Sequence, residues 1–231
     1  VSLVVNALGT PEPHIIERAH DSGARVAALA GKVQHAESHV RAGVDVVIAQ
    51  GTEAGGHTGE IASMVLIPEV VEAVGPDTPV LAAGGIASGK QIAAALALGA
   101  DGAWTGSVWL TTAESDSSPE VIDRYVRASS SDTVRSRSFS GKPARMLRTS
   151  WTEAWEAEDA PDTLGMPLQN LLIAPAMNRF IRGGRLDEMF APVGQVVGSM
   201  DKVRPVRDVI YDMVEEYVET TGRLDAYGEA G

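Results

Sequence analysis

The chain has 231 residues, long enough for one large α/β domain or two small ones around a sizeable core. Its net charge of −12 argues against a nucleic-acid partner, and its 44% hydrophobic and 22% charged residues are those of an ordinary globular protein. There is no cysteine, which excludes disulfides, thiolate catalysis and Cys-ligated metals and agrees with a cytoplasmic setting, and no run of about 18 apolar residues suggests a membrane span.

The first 110 residues repeat one rhythm. "VSLVVNAL" (1–8) is a short apolar run, and "EPHIIERAHDSG" (12–23) follows as a helix with Ile15, Ile16 and Ala19 at helical spacing and Gly23 at its end. "ARVAALA" (24–30) reads as a buried strand, and "KVQHAESHVRAG" (32–43) as a helix with Val33, Ala36 and Val40 on one face. "VDVVIAQG" (44–51) is the third strand. A glycine-rich loop comes next, then a helix expected to begin near Pro68. "PVLAAGGI" (79–86), a helix over 88–100 with Ser88 as N-cap, and "DGAWTGSVWL" (101–110) complete the series. Continuous rather than alternating apolar strands, at a spacing of roughly 20–35 residues, predict parallel βαβ units covered on both faces. A doubly wound sheet and a (β/α)₈ barrel both satisfy that pattern.

Beyond residue 112 the pattern changes, and the expected division is 1–112 and 113–231. The second part reads as a mostly helical appendage packed on the first, without a sheet of its own. "DTVRSRSFSGKPARMLRTSWTEAWEAE" (132–158) mixes basic and aromatic residues without a period, and "GQVVGSM" (194–200) reads as a linker between helices. The last helix carries Val206, Ile210, Met213, Val214 and Tyr217 at helical spacing, for packing on the barrel or the appended helices or for a homodimer contact. The final residues, 225–231, read as a frayed tail.

In parallel α/β folds, ligands bind at the C-terminal ends of the strands. Three glycine-rich loops fall there. Gly84 and Gly85 bring side-chain-free N–H groups toward an oxyanion, and Gly106 with Ser107 supplies more donors from the next strand. Each loop also has a plain reading as a tight turn. His57, in "EAGGHTG", is flanked by Gly55, Gly56 and Gly59, and an imidazole there suits proton transfer near neutral pH. Glu53 is either its partner or a surface carboxylate. His14, His20, His35 and His39 read as structural or exposed. No metal-binding pattern, GxSxG elbow, P-loop or dinucleotide fingerprint is present.

"AQGTEAGGHTG" followed by "PVLAAGGIASGKQIAAALALGADGAWTGSVWL" resembles the nitronate monooxygenase (2-nitropropane dioxygenase-like) family. The resemblance covers residues 1–112. It implies an FMN-dependent TIM-barrel oxidoreductase that oxidises alkyl nitronates with O₂ to a carbonyl compound and nitrite. It implies His57 as the catalytic histidine and Gln50, Gly55 and Gly56 as flavin contacts. Gly84 and Gly85 match the first phosphate loop, and Trp104, Thr105, Gly106 and Ser107 the second. Five strands are visible where the family barrel has eight, so the resemblance implies that the first three βα units lie in a missing N-terminal segment or a second chain. Two alternatives stand. One is an NAD(P)H-dependent flavin reductase of enoyl or other CoA or ACP thioesters, in which residues 135–148 meet a cofactor phosphate rather than forming a solvated loop. The other is a non-catalytic barrel remnant that binds a phosphate ligand.

Overall fold

The computed structural model describes residues 1–229. In chain order the elements are β1 (Leu3–Asn6), α1 (Pro13–Asp21), β2 (Arg25–Ala30), α2 (Val33–Arg41), β3 (Val46–Gln50), β4 (Gly56–His57), α3 (Ser63–Val74), β5 (Val80–Ala83), α4 (Gly89–Ala97) and β6 (Gly102–Trp104). They continue with α5 (Pro119–Arg127), β7 (Thr133–Ser136), β8 (Ala144–Leu147), α6 (Ser150–Glu156), α7 (Leu168–Arg182) and α8 (Val206–Glu229).

Two compact units divide this chain. The first holds Val1–Thr52, Gly59–Thr105 and the residues from Arg207 on; the second holds Glu53–Thr58 and Gly106–Val206.

The first unit is built on a parallel sheet in the order β1-β2-β3-β5-β6. Its strands are apolar on both faces. Ala30, Val47, Ala49, Val80 and Ala82 pack with Leu66, Ile67 and Val70 of α3 and Ala95 of α4. Ala27, Ile48 and Ala83 form a separate cluster on the alternate strand positions, joined by Leu29, Val46 and Leu81. That double coverage is why the runs do not alternate in polarity. Burying a side chain such as Ile48 or Leu66, each with no exposed area, contributes about 1.5–3 kcal/mol.

Two boundaries differ from expectation. The third helix begins at Ser63, not near Pro68, which lies inside it. Leu66, Ile67 and Val70 are buried on that helix, and their burial outweighs the one backbone hydrogen bond that Pro68 cannot donate. The last parallel strand ends at Trp104, and Ser107–Thr111 forms a 3₁₀ turn rather than more strand. Ser88 caps α4 as expected, accepting from the Gln91 N–H.

Helix α8 packs against the start of α4. Gly89 N–H donates to the Glu216 carboxylate at 3.0 Å, and a Cβ on Gly89 would collide with the Met213 carbonyl and the Tyr217 nitrogen. Val209, Met213 and Thr220 are buried on that side, whereas Ile210, Val214 and Val218 are exposed. Of the apolar positions expected to form one face, Met213 therefore points inward, and Ile210 and Val214 point outward. Residues 225–229, expected to fray, continue α8, and 230–231 lie outside the described residues.

The second unit carries α5, α6 and α7 together with a sheet, which the sequence reading did not expect. Strands β4, β8 and β7 form a three-stranded antiparallel arrangement in that order. The β7–β8 hairpin accounts for the stretch that has no helical or strand period. "GQVVGSM" is a 3₁₀ turn over Gln195–Ser199, not a loose linker: Val197 is buried with Tyr125, Leu147, Ala191, Val193 and Met200 in this unit's core.

Candidate active site

The two units supply candidate residues separately. In the first, Gln50 is the last residue of β3 and lies opposite Ala83, which in turn lies opposite Trp104. Gln50, the Gly84–Gly85 pair and the Trp104–Thr105 pair therefore stand at the same, C-terminal ends of three adjacent strands. Gly84 (φ +93°) and Gly85 (φ +74°) are both left-handed, a backbone that side-chain-bearing residues rarely adopt. The Ser63 hydroxyl tethers this turn, lying 3.0 Å from the Gly84 carbonyl and 3.3 Å from that of Ala83.

In the second unit, the glycines before His57 have different causes. A Cβ on Gly55 would lie 2.7 Å from the Val193 carbonyl carbon and 2.8 Å from the Gly194 nitrogen, so that position admits no side chain. Gly56 has φ +77° and open space around it, so its reason is conformational. The chain then pairs as a two-residue strand, Gly56 opposite Arg145 and His57 opposite Ala144. Thr58 N–H extends the contact, donating to the Pro143 carbonyl at 3.3 Å.

This pairing sets the histidine. His57 is half-buried, and its Nε2 lies 2.7 Å from the Ser140 hydroxyl, which is buried. Among the described residues its Nδ1 has no hydrogen-bond partner. Burial pushes the imidazole below the ordinary histidine range, and the nearby Lys142 charge pushes it the same way. The ring is thus held neutral at neutral pH.

Glu53 is not the hydrogen-bond partner of His57. Its carboxylate acts on Arg145, supporting a guanidinium that burial and Arg135 both disfavour. Arg145 is buried and donates to the Thr133 hydroxyl at 3.1 Å, so residues 135–148 are not the solvated loop that was one expectation. Ser107 and Gly55 both meet Gly194. The Ser107 Oγ accepts from Gly194 N–H at 2.8 Å and keeps its own proton to donate. Gly106 is exposed, with nothing within 4 Å of where a Cβ would be.

Sequence reasoning missed Ser140, Lys142 and Gly194. Residues 135–148 stood out only for their charge, and no local pattern ties Ser140 to a histidine 83 residues away. Among the described residues no cluster of three or more metal-ligating side chains occurs, and no helix is long and apolar enough to cross a membrane.

A model of the nitronate monooxygenase family matches residues 1–216. The chain belongs to that family. Relatives similar to it include Rv1533 of Mycobacterium tuberculosis, provisionally named a monooxygenase, which is 59% identical over 230 residues. That match covers 97% of this chain and 61% of the relative, so the chain spans less than two thirds of the relative's length. Two solved structures are similar. FabK from Thermotoga maritima superposes with a TM-score of 0.85 at 35% identity, covering 98% of this chain and 71% of that one. A nitroalkane oxidase from Streptomyces ansochromogenes gives 0.87 at 31%, covering 97% and 66%. The α/β fold class is that of these TIM-barrel relatives.

Proposed function

We propose that this member of the nitronate monooxygenase family is part of a flavin-dependent oxidoreductase that uses FMN to oxidise alkyl nitronates with O₂ to a carbonyl compound and nitrite. The observation that carries the reading is the half-buried, neutral His57, fixed through Nε2 and open at Nδ1. Three features fit a bound phosphorylated ring compound. Gly84 and Gly85 form a consecutive left-handed turn with no side chains. Gly106 has φ −129° and open space beside it, so neither backbone strain nor packing requires its glycine. The Thr58 Oγ1 is buried and has no hydrogen-bond partner among the described residues.

In this reading the N–H groups of Gly84, Gly85, Gly106 and Ser107 hold the phosphate, and Gln50, Gly55, Gly56, Trp104 and Thr105 line the rest of the cofactor. Bound FMN supplies the redox chemistry, and the protein supplies orientation and proton handling. Ser140 decides which nitrogen of His57 works. Its hydroxyl donates to the Lys142 carbonyl at 3.3 Å and accepts from the Lys142 N–H at 3.3 Å. With its proton on that carbonyl, Ser140 accepts from Nε2–H, and Nδ1 keeps a lone pair. On a neutral nitroalkane Nδ1 then takes the acidic C–H proton; a nitronate has already lost that proton, and Nδ1 serves it as an N–H that donates to a substrate oxygen.

A visible spectrum of the purified protein with FMN tests the cofactor, and anaerobic mixing with propyl-1-nitronate tests the substrate. Rapid bleaching, followed by nitrite release on admitting O₂, is the expected result. Absence of flavin bands ends the reading. The similarity to FabK favours one alternative, an NAD(P)H-dependent reductase of enoyl thioesters. Fast bleaching by NADPH with slow bleaching by the nitronate would select it.

A further inference from the structure

The loop that fixes His57 also brings a cation to it. Residues 140–144 lie along one side of the histidine: the Ser140 hydroxyl on Nε2, the Pro143 carbonyl on the next N–H, and Ala144 paired across the ladder. Lys142 sits within this run. Its main chain is tied to Ser140 Oγ from both its N–H and its carbonyl. Its side chain is exposed and forms no ion pair among the described residues. In a chain of net charge −12, an uncompensated ammonium beside a half-buried imidazole is a local reversal of sign.

The geometry points to Lys142 as the specificity-determining residue that draws an anionic oxygen acid, such as a nitronate, to the open Nδ1 of His57. This inference rests on the proposed activity for its substrate class, but not for the anion site itself. A point charge attracts an oxyanion without demanding bidentate geometry, so it selects the ionised substrate over its neutral nitroalkane. The same charge opposes a proton on His57, and a bound anion offsets it, so the ring can then carry the N–H that a nitronate oxygen accepts. Thr58, Gly56 and Ser140 around the imidazole carry no charge, and the Glu53 carboxylate is engaged with Arg145. Lys142 is thus the cation whose removal should be felt there.

The test uses the whole chain with Lys142→Met, Lys142→Arg and Lys142→Glu. For an exposed charge, Lys142→Met should raise KM for propyl-1-nitronate about threefold to fivefold, with kcat nearly unchanged. Lys142→Glu should do more, Lys142→Arg should restore most of the affinity, and added salt should weaken binding to the wild type but not to Lys142→Met. A second measurement needs no flavin and no turnover: the His57 ring resonances are followed by NMR while pH, and then nitrate, are varied. Lys142→Met should move the His57 midpoint upward and weaken nitrate binding. Unchanged His57 titration together with unchanged nitrate affinity would overturn the inference, whether or not the protein oxidises nitronates. A wild type that shifts with nitrate but turns over no nitronate would retain the anion site and end only the proposed activity.

Discussion

His39 in the first unit and His57 in the second are both pushed below the ordinary histidine range, in both cases first by burial. Their surroundings differ. His39 is fully buried on α2; its Nε2–H donates to the Leu29 carbonyl at 3.1 Å, and its Nδ1 accepts from the Thr10 hydroxyl at 2.9 Å. Both nitrogens are used, and the ring is a structural bolt between helix and strand. His57 has one nitrogen engaged and the other open. A depressed proton affinity therefore does not by itself single out a histidine for chemistry; the role proposed for His57 rests on its open ring nitrogen beside one that Ser140 fixes.

Replacing the two rings would separate these roles most sharply. His57→Ala should lower turnover by roughly 10²- to 10⁴-fold, the range for loss of a positioned acid–base group, with little change in melting temperature. His39→Ala should do the reverse. It leaves the Thr10 and Leu29 groups without their partner and costs about 1–3 kcal/mol of stability, read by urea denaturation, while the folded fraction keeps its activity. Equal loss of activity in both variants would erase the distinction.

Gly55→Ala comes next. Its methyl group must displace the Val193–Gly194 backbone, at a cost of about 1–3 kcal/mol, and the displacement should reach His57 through β4. Gly56→Ala tests a different cause, the left-handed φ, with no clash.

Both units were partly legible before any coordinates, and the limits lay in different places. The parallel strands were readable because each is buried on both faces, which leaves unbroken apolar runs such as "VVIAQ" and "VLAA" with helices between. Glycine at 84–85 and around His57 was readable as backbone that had to be bare. The β7–β8 hairpin was not. Its short strands bury Arg145 with Met146 and Leu147, so polarity does not alternate, and β4 is only two residues long. Ser140 carries no signal because its meaning comes from register: His57 opposite Ala144 puts the preceding loop beside the ring. Pairing across 83 residues is a property of the fold, not of any window of sequence.

Two smaller effects refine the contrast between the histidines. Ser140→Ala should lower kcat/KM about tenfold or less, since one hydrogen bond and the tautomer preference are lost. With a neutral nitroalkane as substrate, the activity profile should still rise as pH passes upward through the lowered His57 range, because in the proposed role the neutral ring is the base. The smallest effect is on stability. The folded His39 binds a proton more weakly than the unfolded one, so the unfolded chain gains protons first as pH falls. Its contribution is complete above the unfolded histidine range and is lost on acidification through that range. Melting temperature should therefore fall between about pH 7.5 and pH 5.5, and fall less in His39→Ala.

The Glu216 contact has a practical bearing on how this polypeptide can be handled. The carboxylate that meets the first turn of α4 comes from residue 216, 127 positions later. A shortened version ending before α8 would strip a counter-charge from the helix that follows the Gly84–Gly85 turn and uncover the surface against which Val209 and Met213 are buried. Anyone trimming the C-terminus for crystallisation or fusion should expect poorer solubility and a looser start to α4, because the last helix is a fastening rather than a trailing end.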